Sequence, residues 1–298
     1  MNDIPTRQDQ ERHLRELAAT RHLYGQAKDL AALQFTIATI VSAGLAILET
    51  VDPTAKLWTA FVGLVLALIN EAVIEPIKAS RRAAAATMQE AFDCAVLALP
   101  WSTLTAGEEP DREESLKSSE ELENIGRLRD WYPSAVATVS PELGRLICQR
   151  SNSVWDSKQR RIYRNVVITV LVIVVLILAS VGLGEHLTLA DFVLTCLAPS
   201  FPFILWAIRE RREQTEAADR ADRLRIYTND LWARAVRREV HGDELTRESR
   251  RLQDALYAHR KTSPMIFDWF YQLLRSRFEI QLHEGAADMI DEIERGRS

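Results

Sequence analysis

Side chains able to do chemistry are gathered at a few places in this 298-residue chain. Gln149, Asn152, Asp156 and Tyr163 recur at helical spacing and therefore share one helix face, with Trp155 on a neighbouring face. Such a stripe can take up a ligand or bind a neighbouring helix, whereas Trp155 reads as a core or interfacial anchor. Arg150, Arg160 and Arg161 punctuate the same segment. Glu71 and Glu75 stand one helical turn apart and are followed by Lys78 and Arg82, with which they can pair. Enzyme signatures are missing: there is no Gly-rich phosphate loop, no paired histidines at zinc spacing and no nucleophile elbow. The six histidines are dispersed, and His13, His22, His241, His259 and His283 fall in charged helical segments where a solvated ring is expected. Cys94, Cys148 and Cys196 lack metal-ligand spacing, so free thiols in a reducing compartment are expected. No enzyme, cofactor or metal is implied.

The elements carrying these residues follow from where the charges are not. A mean hydropathy of -0.13 with 27% charged residues suggests a soluble domain, yet residues 30–48, 57–70, 166–184 and 192–208 contain no charge at all. About 20 apolar residues cross a hydrocarbon layer of roughly 30 Å at about 1.5 Å per residue. The first and third windows suffice alone; the second needs residues 71–77 and the fourth needs 187–191. Residues 166–178 are β-branched enough for a buried strand, but their length and lack of charge fit a bilayer better. The expected fold is all-α, a four-span membrane protein of two hairpins, 30–77 and 166–208, with helical extensions. No signal peptide is expected ahead of the first span, because residues 1–29 are polar and charged.

Basic residues are retained on the inner side of span ends. Only Lys56 lies between spans one and two, and none lies around Gly184-Glu185-His186. Arg21, Lys28, Lys78, Arg81, Arg82, Lys158, Arg160, Arg161, Arg164, Arg209, Arg211 and Arg212 flank the other ends. Residues 1–29, 78–165 and 209–298 are therefore expected inside.

Those inner segments read as helices. Residues 79–97 are nearly all strong helix formers, so span two should continue until Pro100 stops it. The acidic stretch 103–123, with Gly107, Pro110 and Ser118-Ser119, reads as a mobile loop. Ser140-Pro141-Glu142 is a helix start that can run unbroken into span three. Ala217, Ala221, Leu224, Thr228, Leu231 and Ala235 form a narrow seam for a neighbouring helix or second subunit. Ser263-Pro264 is expected to start another helix, whose Ile266, Trp269, Phe270, Leu273 and Leu274 belong in a core or at the membrane surface.

Within the spans, Gln34, Thr36, Thr39 and Ser42 make the first the inner helix, while span three offers aliphatics to lipid. Gly63 and Ala67 suit close helix contact, and Pro199 with Pro202 predicts a kink in span four.

The ordered residues Gln89-Glu90-Ala91-Phe92-Asp93, Leu99-Pro100-Trp101, Trp131-Tyr132-Pro133, Cys148-Gln149-Arg150-Ser151-Asn152 with Trp155-Asp156, and Arg160-Arg161-Ile162-Tyr163 resemble the S-4TM family. That family comprises four-span, pore-forming effectors associated with bacterial synthetases of cyclic oligonucleotides. The resemblance implies an anti-phage effector in the bacterial inner membrane, linked to a nucleotidyltransferase synthetase and activated by a cyclic oligonucleotide, directly or through a partner. On that reading Arg150, Arg160 and Arg161 would clasp phosphates, Trp155 or Tyr132 would stack on a base, and Asn152 would line the site. Inside anchoring of the spans demands the same arginines without any ligand. A pore would need a homo-oligomer, since four helices fill their own centre; Thr36, Thr39 and Ser42 would line it, and Glu71 with Glu75 would ring its inner mouth. The alternatives are a membrane-anchored scaffold that recruits a partner without conduction, or a small ion channel or transporter.

Overall fold

The computed structural model describes residues 2–111 and 125–295. It is helical throughout, with no strand among the described residues. A short α1 (Ile4–Gln8) precedes α2 (Glu11–Phe35), which passes through a π turn at Thr36–Val41 into α3 (Ser42–Val51). A 3-10 turn, Pro53–Ala55, reverses the chain into α4 (Lys56–Ile69), which a second π turn, Asn70–Ile74, joins to α5 (Glu75–Leu97). The small α6 (Thr103–Ala106) and two 3-10 turns lead to α7 (Pro141–Gly184). The second hairpin returns through α8 (Leu189–Phe192), a third π turn at Val193–Leu197 and α9 (Ala198–Val236). Two further helices, α10 (Gly242–Thr262) and α11 (Asp268–Arg295), complete the chain.

Counted through their π turns, the four spanning helices are 39, 42, 44 and 48 residues long. At about 1.5 Å per residue each is about 60–70 Å, twice the hydrocarbon thickness. Each span is thus one end of a rod whose other end stands in a polar half. Burial divides the same way. Only 6% of the most apolar window of the third helix is buried, although its hydropathy is 3.2. Val170, Val172, Ile173, Leu176 and Ile177 are all exposed. Such a surface is stable only in lipid. The densest core, including Phe92, Tyr132, Leu146, Ile147, Leu231 and Trp232, lies in the polar half.

Local chemistry sets the ends. Asp52 reverses the first hairpin by accepting from the Thr54 amide at 2.9 Å, with Pro53 next. Thr188 accepts from the Asp191 amide at 3.2 Å in the second, where a Cβ on Gly182 would lie 2.6 Å from the Phe192 ring. As expected, α5 stops before Pro100, with Ala98 left-handed at φ 51°. Pro141 opens α7 after Ser140, which stands at the cap position without using its hydroxyl, and the helix runs unbroken into the third span. The Ala217, Ala221, Thr228 and Leu231 seam is fully buried along α7 of the same chain, with Leu224 half-buried.

Three expectations change. Ser263-Pro264 does not start a helix: α10 ends at Thr262 and α11 begins at Asp268, leaving residues 263–267 as a strap. The Ser263 hydroxyl donates back to the His259 carbonyl at 2.7 Å instead of capping forward, and a residue before proline is disfavoured in helix. The apolar set around it divides: Ile266 and Phe270 are buried, whereas Trp269 and Leu273 are exposed, and the Leu274 side chain lies outside the described residues. Of the expected loop 103–123, the first turn is helical, and residues 112–124, with Ser118-Ser119, lie outside the described residues.

Candidate functional site

Polar side chains from three long helices and one loop meet in the polar half. Asp93 and Glu90 come from α5, Tyr132 from the loop, Gln149 and Asn152 from α7, and Arg250, Gln253 and Arg260 from α10. Asp93 accepts from Tyr132 Oη at 2.6 Å, Arg260 Nη1 at 2.6 Å and Gln253 Nε2 at 2.9 Å. Glu90 accepts from Gln253 Nε2 at 2.8 Å and from Arg250. Gln149 Nε2 donates to Gln253 Oε1 at 3.0 Å and to the Ser249 carbonyl, and Asn152 donates to Tyr132 Oη at 3.1 Å. Asp93, Gln149 and Gln253 are 0% exposed, so the centre of this hub is sealed from water. Burial works against the Arg260 charge, but Asp93 beside it raises its pKa further above the ordinary value. Burial, aided by Asp93, likewise pushes the Tyr132 phenol well up and keeps it a donor. Removing one member of such a buried ion pair costs roughly 3–5 kcal/mol, because the other charge is left uncompensated.

One turn nearer the spans, Asp156 Oδ2 meets Arg160 Nε and His259 Nε2, each at 2.6 Å. Burial alone would raise the Asp156 carboxyl; Arg160 and the His259 hydrogen bond hold it well below the usual carboxylate range. Ser263, His259 and Asp156 have the composition of a hydrolase triad but not its geometry. Ser263 Oγ is 3.3 and 3.4 Å from the two ring nitrogens, is buried, and spends its proton on the His259 carbonyl. Among the described residues no group of three or more metal-ligating side chains occurs.

The strap is bound by all four spanning rods. Lys28 of α2 pairs with Asp268 at its end. Arg82 of α5 donates to the Lys261 and Ser263 carbonyls at 2.9 and 3.3 Å. Arg160 of α7 reaches the Pro264 carbonyl at 3.0 Å, and Gln214 of α9 the Met265 carbonyl at 3.2 Å. Just above, Ile266 and Phe270 pack with Tyr163, Val167 and Ala207 at the ends of the third and fourth spans nearest the polar half.

The residues singled out for ligand binding do not share one cradle. Arg160 and Asn152 point inward and are engaged as above, Arg160 also donating to Gln214 at 2.8 Å. Arg150 donates to Asn229 at 2.6 Å, and Arg161 pairs with Asp222 and, at 3.3 Å, with Asp219, all on α9. Trp155 is half-buried and donates to Gln159 at 3.1 Å. In the first span, Thr36, Thr39 and Ser42 each return their hydroxyl to their own helix, at 2.9, 2.6 and 3.1 Å. Thr39 is buried while Thr36 is exposed. Glu75 accepts from Gln34 at 2.8 Å and Lys78 at 2.5 Å; Glu71 is exposed and outside that set.

The contribution of α10 to the hub is not anticipated by motif. The expectation of solvated histidines fails at His259 and at His13, which is buried against Glu16 at 2.9 Å. The signal was in the pattern: Ser249 and Gln253 interrupt an apolar face made by Leu245, Leu252 and Leu256, and polar residues inside such a stripe mark buried hydrogen bonding. His283 lies where side chains are outside the described residues.

The sequence model of the SMODS-associating 4TM effector domain matches residues 2–289, nearly the whole chain. The chain belongs to this family. A probable CBASS effector molecule from Bacillus cereus (strain VD146) is 19% identical over 279 residues, which cover 91% of this S-4TM chain and 92% of the relative. No solved structure matches. Glu90, Asp93, Tyr132, Gln149, Asn152, Asp156 and Arg160, spread over 71 positions of sequence, are gathered in the hub and beneath the strap.

Proposed function

We propose that this S-4TM protein is the membrane effector of a bacterial cyclic-oligonucleotide anti-phage system, opening or disrupting the inner membrane when the nucleotide signal acts on its polar half. The observation that carries this reading is the family match over residues 2–289, on a chain whose four spanning helices are the outer ends of the rods that build the polar half. The relative's description as a probable CBASS effector molecule supports it. Because each rod runs from the polar half into a span, a displacement among the polar ends is passed on to the spans.

Arg161 and Arg150 are the points of entry. Both bridge α7 to α9, and Arg161 is 42% exposed while paired with Asp219 and Asp222. A phosphate offers the same bidentate acceptor as a carboxylate. Exchanging Asp222 for a nucleotide phosphate would remove one tie between α9 and α7 and favour a second arrangement of the two, provided the ligand binds that arrangement more tightly. Arg160, buried among three partners, positions rather than exchanges. Gly63, Ala67 and Glu71 follow one another at four-residue steps on the second span, and a Cβ on Gly63 would meet nothing within 4 Å. That small-residue face suits a second copy, which would bring the Glu71 carboxylates together at the inner mouth.

Ion flux from liposomes carrying the purified chain tests the proposal. A cyclic oligonucleotide from a panel should trigger release, and Arg161→Ala should weaken calorimetric binding of that nucleotide with insertion unchanged. Absence of binding to the wild-type chain would place sensing in a partner; binding without flux would favour the scaffold reading.

A further inference from the structure

We propose that the first turns of α11, residues 269–273, lie in the surface of the same bilayer that the spans cross, with Trp269 and Leu273 seated at the boundary between headgroups and acyl chains. The two side chains are 61% and 71% exposed, one helical turn apart on one face. On the adjoining face, Phe270 is 2% exposed and packs with Tyr163, Val167 and Ala207. Val167 and Ala207 belong to the third and fourth spans, so α11 begins at the depth where those spans leave the hydrocarbon.

That depth is fixed by the strap. The carbonyls of Lys261 at the end of α10 and of Ser263, Pro264 and Met265 in the strap are held by Arg82, Arg160 and Gln214, and Asp268 by Lys28. Trp269 therefore cannot swing towards the distal end of the polar half without breaking these bonds. Among the described residues, the exposed large apolar side chains of the polar half away from the spans are Leu104, Ile226 and Tyr227, whereas Ile162, Val166 and Ile208 are exposed at the level of the strap. Trp269 and Leu273 continue that second group. Tryptophan, with an apolar body and one N–H donor, is suited to this boundary, and a helix that offers it beside leucine on one face lies in the interface plane. The partner is thus phospholipid, not a soluble protein.

The test uses the full-length chain in liposomes. The difference in emission between wild type and Trp269→Phe isolates one indole among the seven tryptophans of the chain. Lipids brominated high on the acyl chain should quench most of that difference signal, and aqueous iodide little of it. Quenching by iodide alone would put Trp269 in water, and quenching by neither would put protein over it; either result overturns the proposal. As a second readout, Leu273→Cys labelled with a fluorophore should report the same shallow quenching, with wild type, whose Cys94, Cys148 and Cys196 are buried, as the labelling blank.

Discussion

Glu210 stands immediately below the fourth span, half-buried and accepting from Gln214 Nε2 at 2.9 Å. Burial pushes its carboxyl up to about 7; the Gln214 hydrogen bond opposes this, Glu213 adds to it, and Arg160 and Lys78 oppose it. An acid whose folded pKa is raised binds more protons folded than unfolded between the two values. Stability from this group is therefore present below about 4.5 and is lost as pH rises towards about 7. Thermal unfolding in detergent should show wild type losing more stability than Glu210→Gln between pH 5 and pH 8. Parallel curves for the two proteins would exclude a raised Glu210. At this scale the sequence discloses residue types better than partners. The stripe Gln149, Asn152, Asp156 and Tyr163 was legible because helical spacing is local. Its bonds to Tyr132, Gln253 and His259 were not, because nothing in a window of a few turns specifies a contact 104 residues away. His259 misled for the same reason: its neighbours in sequence are charged, but its neighbour in space is Asp156.

Helices were the easiest elements to read, since a charge-free window and a capping pattern each follow from short-range physics. The π turns were not legible. Each inserts one residue's worth of slippage into a ladder with ordinary helical dihedrals, so composition leaves no trace of it. Span four, where a π turn precedes Pro199 and Pro202, carries two independent causes of bending, of which only the prolines could be foreseen. The N-terminal segment reads as helical, but its break into α1 and α2 was hidden, as was the insertion of α1 in the core through Ile4, with Gln8 bonding both backbone groups of Tyr132. The strictest fit is at Gly144, where an added Cβ would lie 2.2 Å from Asn2 Nδ2. That nitrogen donates to the Val136 carbonyl at 2.7 Å. Gly144→Ala should therefore displace Asn2 and cost about 1–3 kcal/mol, the penalty of an unsatisfied buried group. Denaturant titration measures it, and in an Asn2→Ala background the same change should cost markedly less. Equal costs in the two backgrounds would show that Asn2 is not what Gly144 accommodates.

Over the whole molecule, the division into an apolar half and a polar half makes orientation a matter of counting cations. The two hairpin turns, 52–55 and 185–188, carry no lysine or arginine, and Lys56 alone adjoins the first. Both termini and the segment between the hairpins are expected inside. Reporter fusions after Ser298 and within residues 105–120 should be active only in the cytoplasm, and cysteines at Pro53 and Glu185 should react with impermeant reagents from outside. One reversed site would require a different threading of the chain. The number of spans was legible in the sequence, and the cation count sets the sidedness that these fusions test; how the rods are fastened to one another required coordinates.

The fastening restricts how the rods can move. The strap has five residues, 263–267, and can span at most about 3.3–3.6 Å per residue. Residues 261–268 hold a side chain from each rod: Lys28, Arg82, Arg160 and Gln214. If one rod tilts at its inner end, the cord must drag the other three or shed a bond, so four nominally independent tilts collapse towards a single degree of freedom. Motion of such an assembly is graded in none of its parts: the inner ends shift in concert, as the leaves of an iris do, or they stay where they are.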